Sequence, residues 1–283
     1  MTTNDPIDLT SRVHQTYEAQ HNRYMVELTF EAKCLGGQPK SSDVLQKWVR
    51  GKLEKEAKQA GKNDLPFPNE EQREEILEAQ VARMTSATPS ELTDDKVLER
   101  WCGFFTDLSG WPWIGTYQIK AALKETALSI GITKSRSGSK QSMQALFDVR
   151  ACNQDGVPLY GPEGDMIYFE RDGEIVSKPD NWLERTIHVQ TPQGPRDSVV
   201  RNDYLEGATV RFVIMVGAQL YESRRSARLD DSLITEIMAH AGPNGLGASR
   251  SQGFGKFQVT KLIKLTDVAP IRPVKGKGKA GDE

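Results

Sequence analysis

Gly242-Pro243-Asn244-Gly245-Leu246-Gly247-Ala248-Ser249-Arg250-Ser251-Gln252-Gly253-Phe254-Gly255-Lys256-Phe257 is the stretch on which the reading of this chain turns. An apolar helical stripe, Leu233, Ile234, Ile237 and Met238, stands before it, and a strand-like run from about Lys256 to Leu265 follows. Glycine reaches backbone angles barred to other residues and lets a second backbone come close. A loop so built, and carrying Arg250 and Lys256, is expected to wrap its N–H groups around an anion or a nucleic-acid backbone. The candidate binding residues are Gly245, Gly247, Ser249, Arg250, Ser251, Gly253, Phe254, Gly255 and Lys256. Phe254 either stacks on a base or anchors the loop to the core. The loop lacks Gly-Lys-Ser/Thr, which excludes a P-loop, and it lies too near the end of the chain to open a Rossmann unit.

Working outward, the helix from about Asp230 is preceded by a basic run, Arg224, Arg225 and Arg228. A second basic segment, Gly131 to Ser142, holds Lys134, Arg136 and Lys140 and no acid. Small polar residues with spaced cations suit a grip on phosphates. The helix before it, about Tyr117 to Ile130, carries Ile119, Leu123, Ala127 and Ile130 on one face. Lys120 and Lys124 lie nearby, and the helix N-terminus is a candidate phosphate seat.

Yet the net charge is only −2, with a pI of about 6.2. A strongly basic chain would announce a polyanion partner; here any such site must be local, offset by acid elsewhere, as in Glu70, Glu71, Glu74, Glu75 and Glu78. The three cysteines, Cys34, Cys102 and Cys152, contain no CxxC pair, so a zinc ribbon is not expected, and their sparseness suits a reducing compartment. No signal peptide or long apolar run is present. A soluble cytoplasmic protein is expected, with no membrane partner, no cofactor and no metal site.

Period-2 alternation marks strands at Tyr24–Ala32 and Thr209–Val216; Val210, Phe212, Ile214 and Val216 share one face. Asp172-Gly173 signals a hairpin between Tyr168–Arg171 and Glu174–Ser177. Further strands are expected near Ala145–Cys152, Met166–Arg171 and Leu183–Thr191, with a rigid loop over Thr191–Arg196. The expected domains are an arm at 1–22, a core at 23–40 and 103–268, a helical insertion at 41–102, and a disordered basic tail at 269–283, low in complexity. Phe104, Phe105, Trp111 and Trp113 could stack bases or pack under a loop.

Without the insertion, the order is strand, helix, strands, strand, helix, strand: βαββαβ, an α+β ferredoxin-like fold. Its sheet carries helices on one face and is expected to leave the other free for a single strand. Gly245-Leu246-Gly247-Ala248-Ser249-Arg250-Ser251-Gln252-Gly253-Phe254-Gly255, set between helix and final strand, resembles the C-terminal signature of the RAMP superfamily of CRISPR ribonucleoproteins. Ile119-Lys120-Ala121-Ala122-Leu123-Lys124 is similar to the Leu-Lys-Gly-x-Leu-Arg segment of their backbone subunits, with Ala121 where that segment has glycine.

The resemblance implies a protein that binds single-stranded RNA or DNA, assembles head to tail with copies of itself, and works with other CRISPR-type subunits. A free-standing single-strand-binding protein, such as a phage might encode, fits as well. Some members process guide RNA with a catalytic histidine, but His14, His21, His188 and His240 form no constellation with a tyrosine or lysine. Others cut target RNA through a loop aspartate, for which Asp107 is the candidate. A structural assembly protein that binds no nucleic acid is the third class.

Overall fold

The computed structural model describes residues 9–40, 44, 46–47, 50–51, 53–54, 57–58, 68–70, 72–77, 101–131, 147–191, 194–217 and 231–266. In chain order the elements are α1 (Leu9–Ala19), β1 (His21–Phe30), β2 (Cys34–Leu35), β3 (Gln38–Pro39), β4 (Trp101–Gly103), β5 (Phe105–Thr106), β6 (Pro112–Gly115) and α2 (Thr116–Ser129). Then come β7 (Phe147–Ala151), β8 (Met166–Arg171), β9 (Glu174–Ile175), β10 (Asn181–Thr191), β11 (Gly194–Leu205), β12 (Thr209–Gly217), α3 (Asp231–Asn244) and β13 (Phe257–Lys264). The architecture is α+β, with one sheet of eight strands and one of five.

The large sheet runs β13-β1-β12, and the far edge of β12 is shared by two strands. β7 pairs along Phe212–Val216, and β8 pairs at Thr209 and Val210. From β8 the sheet continues to β6 and β5. Each of these ladders is antiparallel.

Alternation decides which face is core. Tyr24, Val26, Leu28 and Phe30 of β1 meet Val210, Phe212, Ile214 and Val216 of β12, none more than 3% exposed. On them α2 lays Ile119, Ala122, Leu123 and Ala127, and α3 lays Ile234, Ile237, Met238 and Ala241. These positions fall three and four apart, the spacing of one helix face. Asp231, in the first turn of α3, accepts from the Tyr24 hydroxyl at 2.6 Å and pairs with Lys264 at 3.1 Å. An acid there also complements the helix dipole.

The opposite face is not free, contrary to expectation. Met25, Val213 and Met215 lie on it, buried under Tyr17 of α1 and Leu265. Further along, Arg211 sits between Glu27 and Glu170, 3.2 Å from each. Because β1 and β12 are apolar on both faces at one end, that end needs cover, and the arm supplies it as a helix. His14 of α1 stacks on Tyr160, with ring centroids 3.9 Å apart, and the Tyr160 hydroxyl donates to Glu18.

The small sheet runs β10-β11-β4-β3, with β2 also on β11. Here two expectations are corrected. The segment read as a rigid loop ends in β11, since Gly194 pairs with Thr191 and Pro195 with Gln190, and Gly194 takes φ +109° at the turn. Trp101 and Cys102, grouped above with the helical insertion, form a strand parallel to β11. Burial explains the second: the Trp101 indole donates to Asp203 at 2.7 Å, and Lys40 pairs with the same carboxylate at 2.7 Å. A buried indole N–H ordinarily finds such a partner.

Between residues 44 and 77 the described positions other than 68 and 69 are helical. Asn69 and Gln72 exchange side-chain to backbone hydrogen bonds at 2.9 and 3.0 Å, a reciprocal cap on the second of these helices. Among the described residues no helix is long and apolar enough to cross a membrane.

Candidate functional site

The glycine stretch begins where α3 ends. Gly245 takes φ +72°, and its amide donates to Ala241 and Gly242 carbonyls at 3.1 Å, the left-handed stop that glycine favours. Asn244 donates to the Thr126 hydroxyl at 3.0 Å, which ties this corner to α2. Leu246 is buried at 2% exposure, and its amide donates to the Gly255 carbonyl at 2.9 Å, closing the loop at its neck.

From the neck the loop is strapped to the segment after β1. Ala248 N–H donates to the Leu35 carbonyl and Gly255 N–H to the Lys33 carbonyl, both at 2.9 Å. At the tip, Ser249 at φ +58° leads into a short 3-10 turn, Arg250–Gln252, closed by Gly253 at φ +87°. Gln252 and Gly253 amides donate to the Ser249 and Arg250 carbonyls. The amides of 245, 246, 248, 252, 253 and 255 are thus spent on the protein itself. Those six are withdrawn from the amide nest expected of the loop.

Arg250 reaches the Glu125 carboxylate of α2 at 2.9 Å, with both side chains solvent-accessible. Ser251 and Lys256 are exposed. Phe254 is half-buried with the Arg185 guanidinium 5.8 Å from its ring centroid. Arg185 also bonds to the Gln252 side chain and to Asn202 at 3.1 Å, and Asn202, 2% exposed, donates to the Gly36 carbonyl at 2.7 Å. The chain of contacts Gln252–Arg185–Asn202–Gly36 fastens the loop to the small sheet. Phe254 lies beside this chain of contacts, half-buried.

A narrow cleft of about 150 Å³ opens beside the loop, between the two sheets. Gly36, Gly37, Gly103 and Gly247 supply backbone to its walls, and Tyr117, 55% exposed, stands at its mouth. The glycines are needed: a Cβ on Gly36 would lie 2.2 Å from the Gly103 carbonyl carbon, and one on Gly247 2.8 Å from the Leu35 oxygen.

The other predicted cations do not converge here. Lys120 pairs with Asp148 of β7 at 3.2 Å, and Asp148 also takes Arg150 at 2.9 Å. Burial pushes the Asp148 carboxyl up, but Lys120 and Arg150 outweigh it and hold it below its ordinary value. Glu125 and Lys120 lie on opposite flanks of α2, since five residues turn a helix by about 500°. At the N-terminus of α2, the Gly115 amide donates to the Gln118 side chain at 3.2 Å and the Thr116 hydroxyl to Asp165 at 3.2 Å, which places a carboxylate beside the expected phosphate seat. Lys134, Arg136 and Lys140, and likewise Arg224, Arg225 and Arg228, lie outside the described residues.

Asp107 is a turn staple: it accepts from the Ser109 and Trp111 amides at 2.9 Å and from the Tyr168 hydroxyl at 3.1 Å. His21 bonds to the Tyr17 carbonyl at 2.6 Å, and His240 is exposed on α3. Among the described residues no group of three or more His, Cys, Asp and Glu side chains is placed to hold a metal.

Sequence reasoning missed Arg185 and Asn202, and it missed the cation–aromatic stack on the other face of the hairpin. There Arg201 lies 4.6 Å from the Trp182 ring centroid and pairs with Glu184 at 2.9 Å. The period-2 spacing of Trp182 and Glu184 against Arg201 and Asp203 was the available signal.

No protein-family model matches the sequence, and no characterised protein sequence does either. Among solved structures, a chain in the cryo-EM structure of the type III-B Cmr-beta complex bound to cognate target RNA is similar at 11% identity. The TM-score is 0.39, over 93% of this chain and 67% of that one. At that TM-score the likeness establishes neither a family nor an activity.

Proposed function

We propose that this chain is a RAMP-like protein with a ferredoxin-like core that binds single-stranded RNA or DNA along its glycine loop. The observation that carries the reading is the placement of the motif. The strand order β13-β1-β12-β7, antiparallel throughout, with α2 and α3 on one face, is the pairing order of a βαββαβ ferredoxin-like unit. The Gly-Leu-Gly-x-x-Arg-Ser-x-Gly-Phe-Gly stretch sits between its last helix and last strand, where the RAMP signature sits.

The loop is held at its neck, at Phe254 and by the 33–35 segment, so its tip is presented pre-ordered. Arg250 is the contact residue. Its pair with Glu125 is a surface pair, worth at most about 1 kcal/mol, whereas a phosphate can take a guanidinium through two parallel hydrogen bonds. The Glu125 pair is therefore only a weak competitor for a phosphate at Arg250. Ser251 and Lys256 flank it, and the glycine-walled cleft with Tyr117 at its mouth lies alongside for a sugar or base. Because the overall charge is −2, binding gains from neighbouring copies arranged head to tail, one copy's acids against the next copy's bases.

The test is binding of a fluorescent single-stranded 30-mer across a salt series, with Arg250→Ala beside the wild type. Loss of one phosphate contact should weaken binding and flatten the log–log salt slope by about 0.7. Unchanged affinity and slope remove Arg250 from the site. No binding at low salt overturns the reading in favour of an assembly protein, and shortened product without added metal overturns it in favour of an endoribonuclease.

A further inference from the structure

The two faces of the β10–β11 hairpin divide their charges unequally. Side chains alternate along each strand, so Trp182 and Glu184 of β10 share one face with Arg201 and Asp203 of β11. Each acid there is spent: Glu184 on Arg201 at 2.9 Å, and Asp203 on Lys40 and the Trp101 indole at 2.7 Å. Leu183, Arg185, Val200, Asn202 and Tyr204 share the other face, which meets the glycine loop where Arg185 touches Gln252. No carboxylate stands among them.

Arg185 is the cation this division leaves without an acid. Its Nε donates to the Asn202 side chain at 3.1 Å and its Nη1 to the Gln252 side chain, both neutral oxygens. Among the described residues Nη2 makes no hydrogen bond and no carboxylate pairs with the guanidinium. By contrast Arg150, Arg171, Arg201, Arg211 and Arg250 each hold a carboxylate within 3.2 Å. Burial presses the Arg185 guanidinium below its ordinary value, opposed only by the Cys102 thiol. A charge drawn out of water ordinarily has a counter-charge. The Phe254 ring, its centroid 5.8 Å from the guanidinium carbon, supplies only the weaker cation–π attraction. Lys33, 4.2 Å from the centroid of the Tyr204 ring, adds a second cation on this side with no ion pair among the described residues.

We propose that Arg185 is a second phosphate seat, and that one single strand crosses from the glycine loop to the hairpin with neighbouring phosphates on Arg250 and Arg185. This deepens the single-strand reading given above and rests on it. Position supports the pairing, since Gln252, which holds Arg185, closes the short turn that Arg250 opens. The bonds to Asn202 and Gln252 fix the plane of the guanidinium, and Nη2 is left to donate to a phosphate oxygen, a charge-assisted bond of the strong kind. The strand is then gripped from two elements, while the acids of the hairpin lie on the face away from it.

The test is a double-mutant cycle on the full chain, read by binding of the fluorescent single strand across a salt series, with urea unfolding of every variant. Arg185→Met should flatten the log–log salt slope by about 0.7, one phosphate contact, and the double variant with Arg250→Ala by about 1.4. Gln252→Glu supplies the missing carboxylate and keeps the guanidinium. It should flatten the slope by the same amount, about 0.7, at a urea midpoint no lower than that of the wild type. A wild-type slope in Arg185→Met, beside a flattened one in Arg250→Ala, overturns the proposal and leaves the reading of the loop standing. A double variant no flatter than Arg250→Ala alone overturns it too, because Arg185 then acts only by bracing the loop. So does Gln252→Glu that binds as the wild type does. Absence of binding by the wild-type chain at low salt removes the single-strand reading and the proposal together.

Discussion

Replacing Gly255 with alanine tests the account of the glycine loop at its tightest point. Gly255 has φ +69°, and an added Cβ would lie 1.7 Å from the Leu246 carbonyl oxygen and 3.0 Å from its nitrogen. Two costs follow. A left-handed backbone costs an L-residue about 1–2 kcal/mol. The clash then drives Leu246 away, which breaks the Leu246 N–H to Gly255 carbonyl bond at 2.9 Å and unseats a side chain only 2% exposed. A buried donor left unsatisfied costs about 1–3 kcal/mol. Together the loss is about 2–5 kcal/mol. Gly253 is the internal control: its φ is +87°, but the nearest atom to an added Cβ is Lys256 Cε at 4.0 Å. Gly253→Ala should therefore lose only the backbone part, about 1–2 kcal/mol. Urea unfolding of both variants beside the wild type, with m held constant, reads the difference. Equal losses in the two variants would refute the claim that the loop is closed by backbone contact between Leu246 and Gly255.

Phe169 is fully buried, with Phe104 and Phe30 ring centroids at 5.1 and 5.9 Å. Phe169→Ala should cost about 3–5 kcal/mol by the same assay, and a loss under 1 kcal/mol would mean that this junction of β8 with the core is loosely packed. Asp148 has its carboxyl held below its ordinary value by Lys120 and Arg150, against the opposing effect of burial. Its stabilising contribution is therefore complete above the unfolded aspartate value of about 4 and is lost as pH falls through the lower folded value. Lys120→Met should lower the stability at neutral pH and make its decline below about pH 4 shallower; an unchanged acid profile would exclude the Lys120–Asp148 pair as a contributor.

The core was legible because it is written locally. Alternation in 24–30 and 210–216, and the three-and-four spacing in 119–127 and 234–241, reflect side-chain periodicity alone. The Asp172-Gly173 turn was legible for a similar reason, since both residues take positive φ. The small sheet was not. β2, β3 and β4 are two or three residues long, too short for any period to show, and β11 opens with Gly194-Pro195, which reads as a turn. The loop's cations were found, but not what its amides do. Ala248 and Gly255 donate to carbonyls of Leu35 and Lys33, more than two hundred positions away, and no spacing rule reaches that far. For the same reason Arg185 escaped notice: its value lies in touching Gln252, Asn202 and Phe254 together.

The pairing of β3 with β4 has a consequence for how this chain can vary. Gln38 faces Gly103 and Pro39 faces Cys102, and the Lys40 amide donates to the Trp101 carbonyl at 2.9 Å. The two ends that flank residues 41 to 100 are therefore held side by side at one doorway, a single hydrogen bond wide. What is threaded through such a doorway hardly matters to the frame around it, because doubling the length of a closed loop adds only about 0.6 kcal/mol of closure entropy. A change in the length of that segment is therefore expected to leave the β3–β4 pairing and the sheet behind it in register.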